Sequence, residues 1–214
     1  MVLHLIKAPT KQIASETLKH VRIIPNFINQ EQQSLLLKEI DRKWQGLPYQ
    51  FDHWDGAIKN FRERDLKEFR NPKNTEIINQ IDREIRDFLG ETKNELQILD
   101  SLHILDLHET GCIEPHIDSI KFTGEALASL SLISESRLRL KEYQRKSCGR
   151  NRYLVNIKLE PGTLYIMKGE MRYDWTHEID QVQGRRVSIM RRIKPDTENT
   201  QNPKSMFNFG SVDS

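Results

Sequence analysis

Cysteine is nearly absent from this chain: Cys112 and Cys148 are the two in 214 residues. Two thiols cannot build a disulfide framework, and they lack the paired spacing of a zinc site, so both are expected as free thiols in a reducing compartment. Long hydrophobic runs are missing too; no stretch of about 18 apolar residues occurs, which excludes a membrane-spanning helix. Nor is one charge in excess. Against 31 acidic residues stand 33 basic ones, a net charge of +2, without the basic surplus of a nucleic-acid binder. The hydrophobic share of 36% is low but sufficient for one core at this length, so one domain is expected. Arginine is missing before Arg22. Residues 1–22 carry Lys7, Lys11 and Lys19 against Glu16, a composition weakly like a mitochondrial targeting segment, though Pro9 interrupts it. After Lys194 the chain turns to Asp, Thr, Asn, Gln and Ser, and 195–214 reads as a disordered tail. The folded domain is expected over 23–194.

What is present begins with two helices. Asn29 can cap one whose Leu35, Leu36, Leu37, Ile40 and Trp44 form a stripe. A second starts near Thr75, places Ile77, Ile78, Ile81, Ile85, Phe88 and Leu89 at helical spacing, and stops at Gly90. Eight short strand patterns follow, at 97–107, 111–118, 127–133, 137–143, 153–159, 163–167, 171–177 and 185–193. Pro161-Gly162 suits the middle of a type II turn and 147–151 a hairpin tip. The expected fold is mainly β: a double-stranded β-helix, or jelly roll, with the two helices packed on its outside.

Within these strands, His116-Ile117-Asp118 stands out. Residues i and i+2 of an extended strand share a face, so His116 and Asp118 can reach one metal while Ile117 packs the other way. His177 lies 59 residues beyond Asp118, at the end of another strand pattern. Two imidazoles and one carboxylate form the set that holds non-haem Fe(II) on one face, leaving positions for a co-substrate and O₂. Farther on, period two puts Arg186, Ser188, Met190 and Arg192 on one face and Val187 and Ile189 on the other. Arginines that alternate inward need an anion, and a dicarboxylate suits the guanidinium fork. Arg185 and Arg191, in the opposite phase, are expected as surface residues paired with carboxylates.

The order His-x-Asp, then His, then a strand with two arginines six apart resembles the AlkB family of Fe(II)- and 2-oxoglutarate-dependent dioxygenases. The stretches 51–63, 115–122 and 160–166 look like its mitochondrial branch, and the resemblance covers roughly 24–193. It implies His116, Asp118 and His177 as iron ligands and Tyr165, Arg186, Ser188 and Arg192 around 2-oxoglutarate. It also implies a soluble matrix protein linked to programmed necrosis and fatty acid metabolism. One departure is clear: many members carry Asn-x-Tyr shortly before the His-x-Asp, and here the stretch reads Asp106-Leu107-His108.

A second His-x-Asp, His53-Trp54-Asp55, has no arginine strand to follow it and is expected to be structural, its polar groups bonding near a buried Trp54. The basic stretch Arg145, Lys146, Arg150 and Arg152 has no interleaved aromatic platform and reads as a solvated hairpin tip. Base-repairing members of the family insert a lid before the barrel, whereas only 91–95 separate the second helix from the first long strand here. The expected activity is therefore dioxygenation of a protein or other non-duplex substrate, with 2-oxoglutarate, Fe(II) and O₂ consumed or held at the site. Demethylation of methylated RNA or DNA bases is the less favoured alternative, to be raised by an aromatic-lined, basic groove at the iron mouth. A catalytically silent 2-oxoglutarate-binding module is the third.

Overall fold

The computed structural model describes residues 2–90, 97–143 and 154–195. In chain order the elements are β1 (Ile6–Lys7), α1 (Lys11–His20), β2 (Val21–Ile24), α2 (Gln30–Lys43), β3 (Gln50–Asp52), β4 (Ile58–Leu66), α3 (Pro72–Leu89), β5 (Leu102–His116), β6 (Ala126–Leu132), β7 (Ser136–Glu142), β8 (Leu154–Leu159), β9 (Leu164–Lys168), α4 (Gly169–Tyr173), β10 (Trp175–Ile179) and β11 (Arg186–Arg192). All described pairings are antiparallel, in the order β1-β8-β7-β10-β5-β11-β6-β9-β2, with β4 also on β5 and β3 on β4.

The helices form where their caps demand. Asn29 and Gln32 make a reciprocal capping box at α2, and Asn71 caps α3 with Pro72 in the first turn; both devices satisfy backbone N–H groups that a helix start leaves unpaired. α3 thus begins earlier than Thr75, because its first turn is polar and its apolar stripe starts only at Ile77. Leu36 and Ile40 of α2 and Ile77, Ile81 and Ile85 of α3 bury against Ile104, Leu130, Ile166, Val187 and Ile189. A second core fills the barrel, among Leu105, Leu107, Leu138, Leu140, Ile157 and Tyr165. Alternation along β5 and β11 divides the two cores: Ile104, Val187 and Ile189 face the helices, and Leu105 and Leu107 face inward.

The structure corrects several expectations. The patterns at 97–107 and 111–118 are one bent strand, β5, whose two halves serve opposite walls of the barrel: Leu105 and Leu107 pair with β11, His116 with β10. Gly111 sits at the crossover, where an added Cβ would lie 2.7 Å from the Asn60 carbonyl oxygen. The strand expected at 171–177 starts only at Trp175, since Met171 and Arg172 lie in α4. Sequence reading also assigned no element to α1, β2, β3 or β4. Residues 6–22, set apart by composition, contribute β1, α1 and the start of β2, and β1 pairs with β8. The hairpin tip at 147–151, the basic stretch 145–152, residues 91–95 and the tail beyond Pro195 lie outside the described residues, as does Cys148; Cys112 is a free thiol.

At Pro161-Gly162 the turn forms as expected, with Thr163 N–H donating to the Glu160 carbonyl at 3.0 Å and Gly162 at φ +85°. A Cβ there would meet the Ile28 carbonyl oxygen at 2.6 Å. Gly162→Ala is therefore expected to lower stability by about 1–3 kcal/mol or more, from backbone strain plus that clash. Urea denaturation measures it, and a change below about 0.5 kcal/mol would contradict it.

Candidate active site

β5 ends at His116, directly opposite His177 in the β5–β10 register, and the two imidazole centroids are 4.3 Å apart. One ligand atom each from His116, Asp118 and His177 falls within 4.8 Å of the others, the one such group among the described residues. His116 Nδ1 lies 2.9 Å from the Glu114 carbonyl oxygen. A carbonyl only accepts, so Nδ1 carries the proton and Nε2 is left to ligate. Asp118 Oδ2 and His177 Nδ1 are buried without a partner, as expected of groups shaped for a cation.

The electrostatics agree for Asp118 and His177; at His116 burial opposes protonation, but the Asp118 carboxylate beside it raises the pKa. Burial opposes ionisation of Asp118, but its contact with His116 and the charges of His177, His116 and Arg172 outweigh that and hold the carboxyl far below its usual range. Burial, reinforced by the His116 charge, pushes His177 down to about 3. An anionic carboxylate and a neutral imidazole are the forms a divalent metal requires.

On β11, Arg186 and Ser188 pair across to Leu107 and Leu105 and so share the barrel's inner face with them. Arg186 is 1% exposed. Its Nε donates to the Ser131 and Ser136 hydroxyls at 3.2 and 3.1 Å, while Nη1 is buried and unpaired. It makes no ion pair among the described residues, and burial lowers its pKa. Tyr165 is buried within reach of its charge, and Arg192 Nε is likewise unpaired. Arg186, without counter-charge inside the barrel, fits an anionic ligand, while Arg192 lies within electrostatic reach of Asp65.

The opposite-phase arginines do find carboxylates. Arg191 holds Asp82 at 2.8 Å, and Arg185 binds Asp106 and Asp41; Arg191 is buried rather than on the surface. Asp106, which stands where many relatives of the motif have asparagine, also accepts from Arg62 at 2.9 Å and Tyr49 at 3.2 Å. It is an ion-cluster anchor outside the barrel interior.

Sequence reading missed Arg172. Fully buried, it donates to the carbonyls of Asp118 and Thr123 at 2.9 and 2.8 Å. No local signal distinguished it, because its segment was read as strand.

The second His-x-Asp is structural, but the expectation of a buried Trp54 is wrong: that ring is 84% exposed, because it caps the β3–β4 turn. His53 Nδ1 binds Asp55 at 2.7 Å, and its Nε2 lies 3.4 Å from Glu63. Glu63 also meets His103, whose Nδ1 binds Asp65 at 2.9 Å. His103 hydrogen bonding holds Glu63 and Asp65 below the usual carboxylate range. Burial opposes protonation of His103, yet Asp65 and Glu63 raise it. The carboxylate contribution to stability is present above their ordinary range and lost as pH falls through the depressed values. The imidazole contribution is full below its ordinary value and lost as pH rises through the raised one. The melting-temperature gap between parent and His103→Gln is expected to peak at about pH 5–6 and shrink on both sides; a gap independent of pH would refute it.

No family profile matches the chain. It is 33% identical over 183 residues to the mitochondrial alpha-ketoglutarate-dependent dioxygenase alkB homolog 7 of Mus musculus, covering 80% of this chain and 77% of that protein. With the Bos taurus counterpart it shares 34% over 186 residues, at the same coverage. Among solved structures it is similar in fold to OsALKBH1 (TM-score 0.58, 13% identity, 81% of this chain and 97% of that one). A Pseudomonas putida prolyl-4-hydroxylase gives 0.59 at 12% identity, covering 85% and 96%. A Trichoplax adhaerens prolyl hydroxylase in complex with a hypoxia inducible factor peptide fragment gives 0.57 at 13%, covering 84% and 86%. The jelly-roll barrel, its His-Asp-His group and a third of the sequence shared over most of both chains together make this chain a member of the AlkB family of 2-oxoglutarate-dependent dioxygenases, which work with Fe(II) and O₂.

Proposed function

We propose that His116, Asp118 and His177 hold the Fe(II), that Arg186, Ser188, Tyr165 and Arg192 receive 2-oxoglutarate, and that the substrate is a protein or another non-duplex molecule. The observation that carries this reading is the convergence of three candidate ligand groups, with Asp118 held anionic and His177 held neutral, in a barrel that buries an uncompensated arginine. The bound metal and co-substrate supply the oxidising chemistry, in which 2-oxoglutarate and O₂ yield succinate and CO₂ while a substrate C–H bond is hydroxylated. The chain's own residues orient and exclude. Glu114 fixes the His116 tautomer, Arg186 anchors the far carboxylate of 2-oxoglutarate, and the apolar interior around Leu105, Leu107 and Leu140 keeps water from the reacting groups.

Arg192 also lines, with Asp65, His103, Lys121 and Phe122, a cavity of about 250 Å³. Its charge is mixed, unlike the continuous basic groove that a phosphate chain needs, which favours a protein substrate over base demethylation. The peptide held by one neighbour in fold is in keeping with this. A mitochondrial matrix location and links to programmed necrosis and fatty acid metabolism belong to the same proposal; the location follows the naming of the mouse and bovine relatives.

The test is succinate release from 2-oxoglutarate by purified protein with Fe(II), ascorbate and O₂, with peptide and methylated-RNA pools added in separate arms. Stimulation by peptides supports the reading. Stimulation by RNA alone would favour base demethylation, and metal binding without turnover in any arm would favour a silent binding module.

A further inference from the structure

A guanidinium with no exposed surface is an expensive thing to bury, and such groups are ordinarily matched by a carboxylate. Arg172 has no ion pair among the described residues. It donates to the carbonyls of Asp118 and Thr123, the two ends of the loop that follows the first metal-ligand pair. That loop is otherwise bonded to itself, through Ser119, and to the end of β11, through Gly124 N–H and the Ile193 carbonyl. Arg172 belongs to α4, which leads within five residues to His177 on β10. One side chain therefore joins the segment carrying the third ligand to the segment carrying the second.

We infer that Arg172 is the positioning residue of this metal site, acting through Asp118: it holds the loop's backbone against the His177 segment so that the Asp118 carboxylate stays aligned with the two imidazoles. The inference rests on the assignment of those three residues as ligands. Its charge serves the same end, since Asp118 is the foremost anion acting on it. A planar fork can reach two carbonyls at once, whereas a lysine ammonium on the same stem is a single point donor and spans them poorly.

Cobalt(II) titration of the full chain, read by its visible absorption bands, tests this in the parent, Arg172→Met, Arg172→Lys, Asp118→Ala and the Arg172→Met/Asp118→Ala double variant. Amide hydrogen exchange across 119–124 is followed alongside. Arg172→Met is expected to weaken cobalt binding by about 10- to 100-fold, the range for groups that orient ligands, to alter the bands, and to speed exchange in the loop. Arg172→Lys should recover only part of the affinity. Because the effect runs through Asp118, Arg172→Met should add nearly nothing once Asp118 is alanine. The inference is overturned if folded Arg172→Met binds cobalt with parental affinity and bands, if the two substitutions simply add, or if loop exchange is unchanged. A parent that binds no cobalt would instead sink the ligand assignment, while the exchange measurement would still report whether Arg172 fastens the loop.

Discussion

Arg186→Met is expected to leave the ligand-free protein at least as stable as the parent while abolishing its stabilisation by 2-oxoglutarate. Few substitutions at a fully buried position behave so. The reason is that Arg186 holds a desolvated charge with two serine hydroxyls and no anion beside it. Replacing buried ions by apolar side chains of similar size is often neutral or stabilising, by about 1–4 kcal/mol, and the loss of bonds to Ser131 and Ser136 offsets part of that gain. In the parent, a ligand at a hundredfold excess over its Kd adds about 2.7 kcal/mol. In the variant, losing the charged partner of a buried carboxylate weakens binding by about 2–5 kcal/mol, which removes the shift at millimolar 2-oxoglutarate. Calorimetry with and without the co-substrate reads both effects. A variant that melts far below the parent would make Arg186 a structural residue, and a retained shift would move the co-substrate elsewhere.

His177→Ala should reduce metal affinity and succinate formation by more than about a hundredfold, beyond what loss of an orienting group costs. His53→Ala should leave both within about twofold. The contrast matters because the chain contains two His-x-Asp sequences. Only His116-x-Asp118 is placed opposite a third ligand by strand pairing, whereas His53 spends both ring nitrogens on Asp55 and Glu63. Isothermal titration with Mn(II) on both variants decides it, and equal losses would mean that the two motifs share the metal.

Period two was enough to sort β11 into Arg186 and Ser188 inward and Val187 and Ile189 outward, because that strand is buried on both faces and a slip would bury the wrong set. Capping chemistry located α2: Asn29 signals its start independently of packing, and the structure adds Gln32 as its reciprocal partner. The elements left unread obey other rules. α4 is five residues long and lies inside an apolar stretch too short to show a period. β4 carries Arg62, Glu63, Arg64 and Asp65 in succession, a charged run with no apolar alternation, whose Glu63 and Asp65 both bind His103 of β5. Trp54 was taken as buried because indoles usually are, yet it sits exposed on a turn, its ring beside that of His53. The candidate ligand group was legible since coordination constrains residue type and spacing together, and the structure brings its three members together. Arg172 was not, because its partners are backbone carbonyls, which every residue possesses.

The direct opposition of His116 and His177 across one antiparallel ladder makes the metal a reader of strand alignment. Were β10 to pair one position out of step during folding, its imidazole would turn to the other side of the sheet and leave His116 facing Thr176 or Glu178 instead. Such a chain can collapse into a barrel but lacks the third ligand of the proposed site. Metal uptake thus discriminates correctly threaded molecules from near misses and deepens the native basin only for the former. Cells short of iron would be expected to accumulate this protein partly in slipped forms, with the fault confined to a seam between two strands.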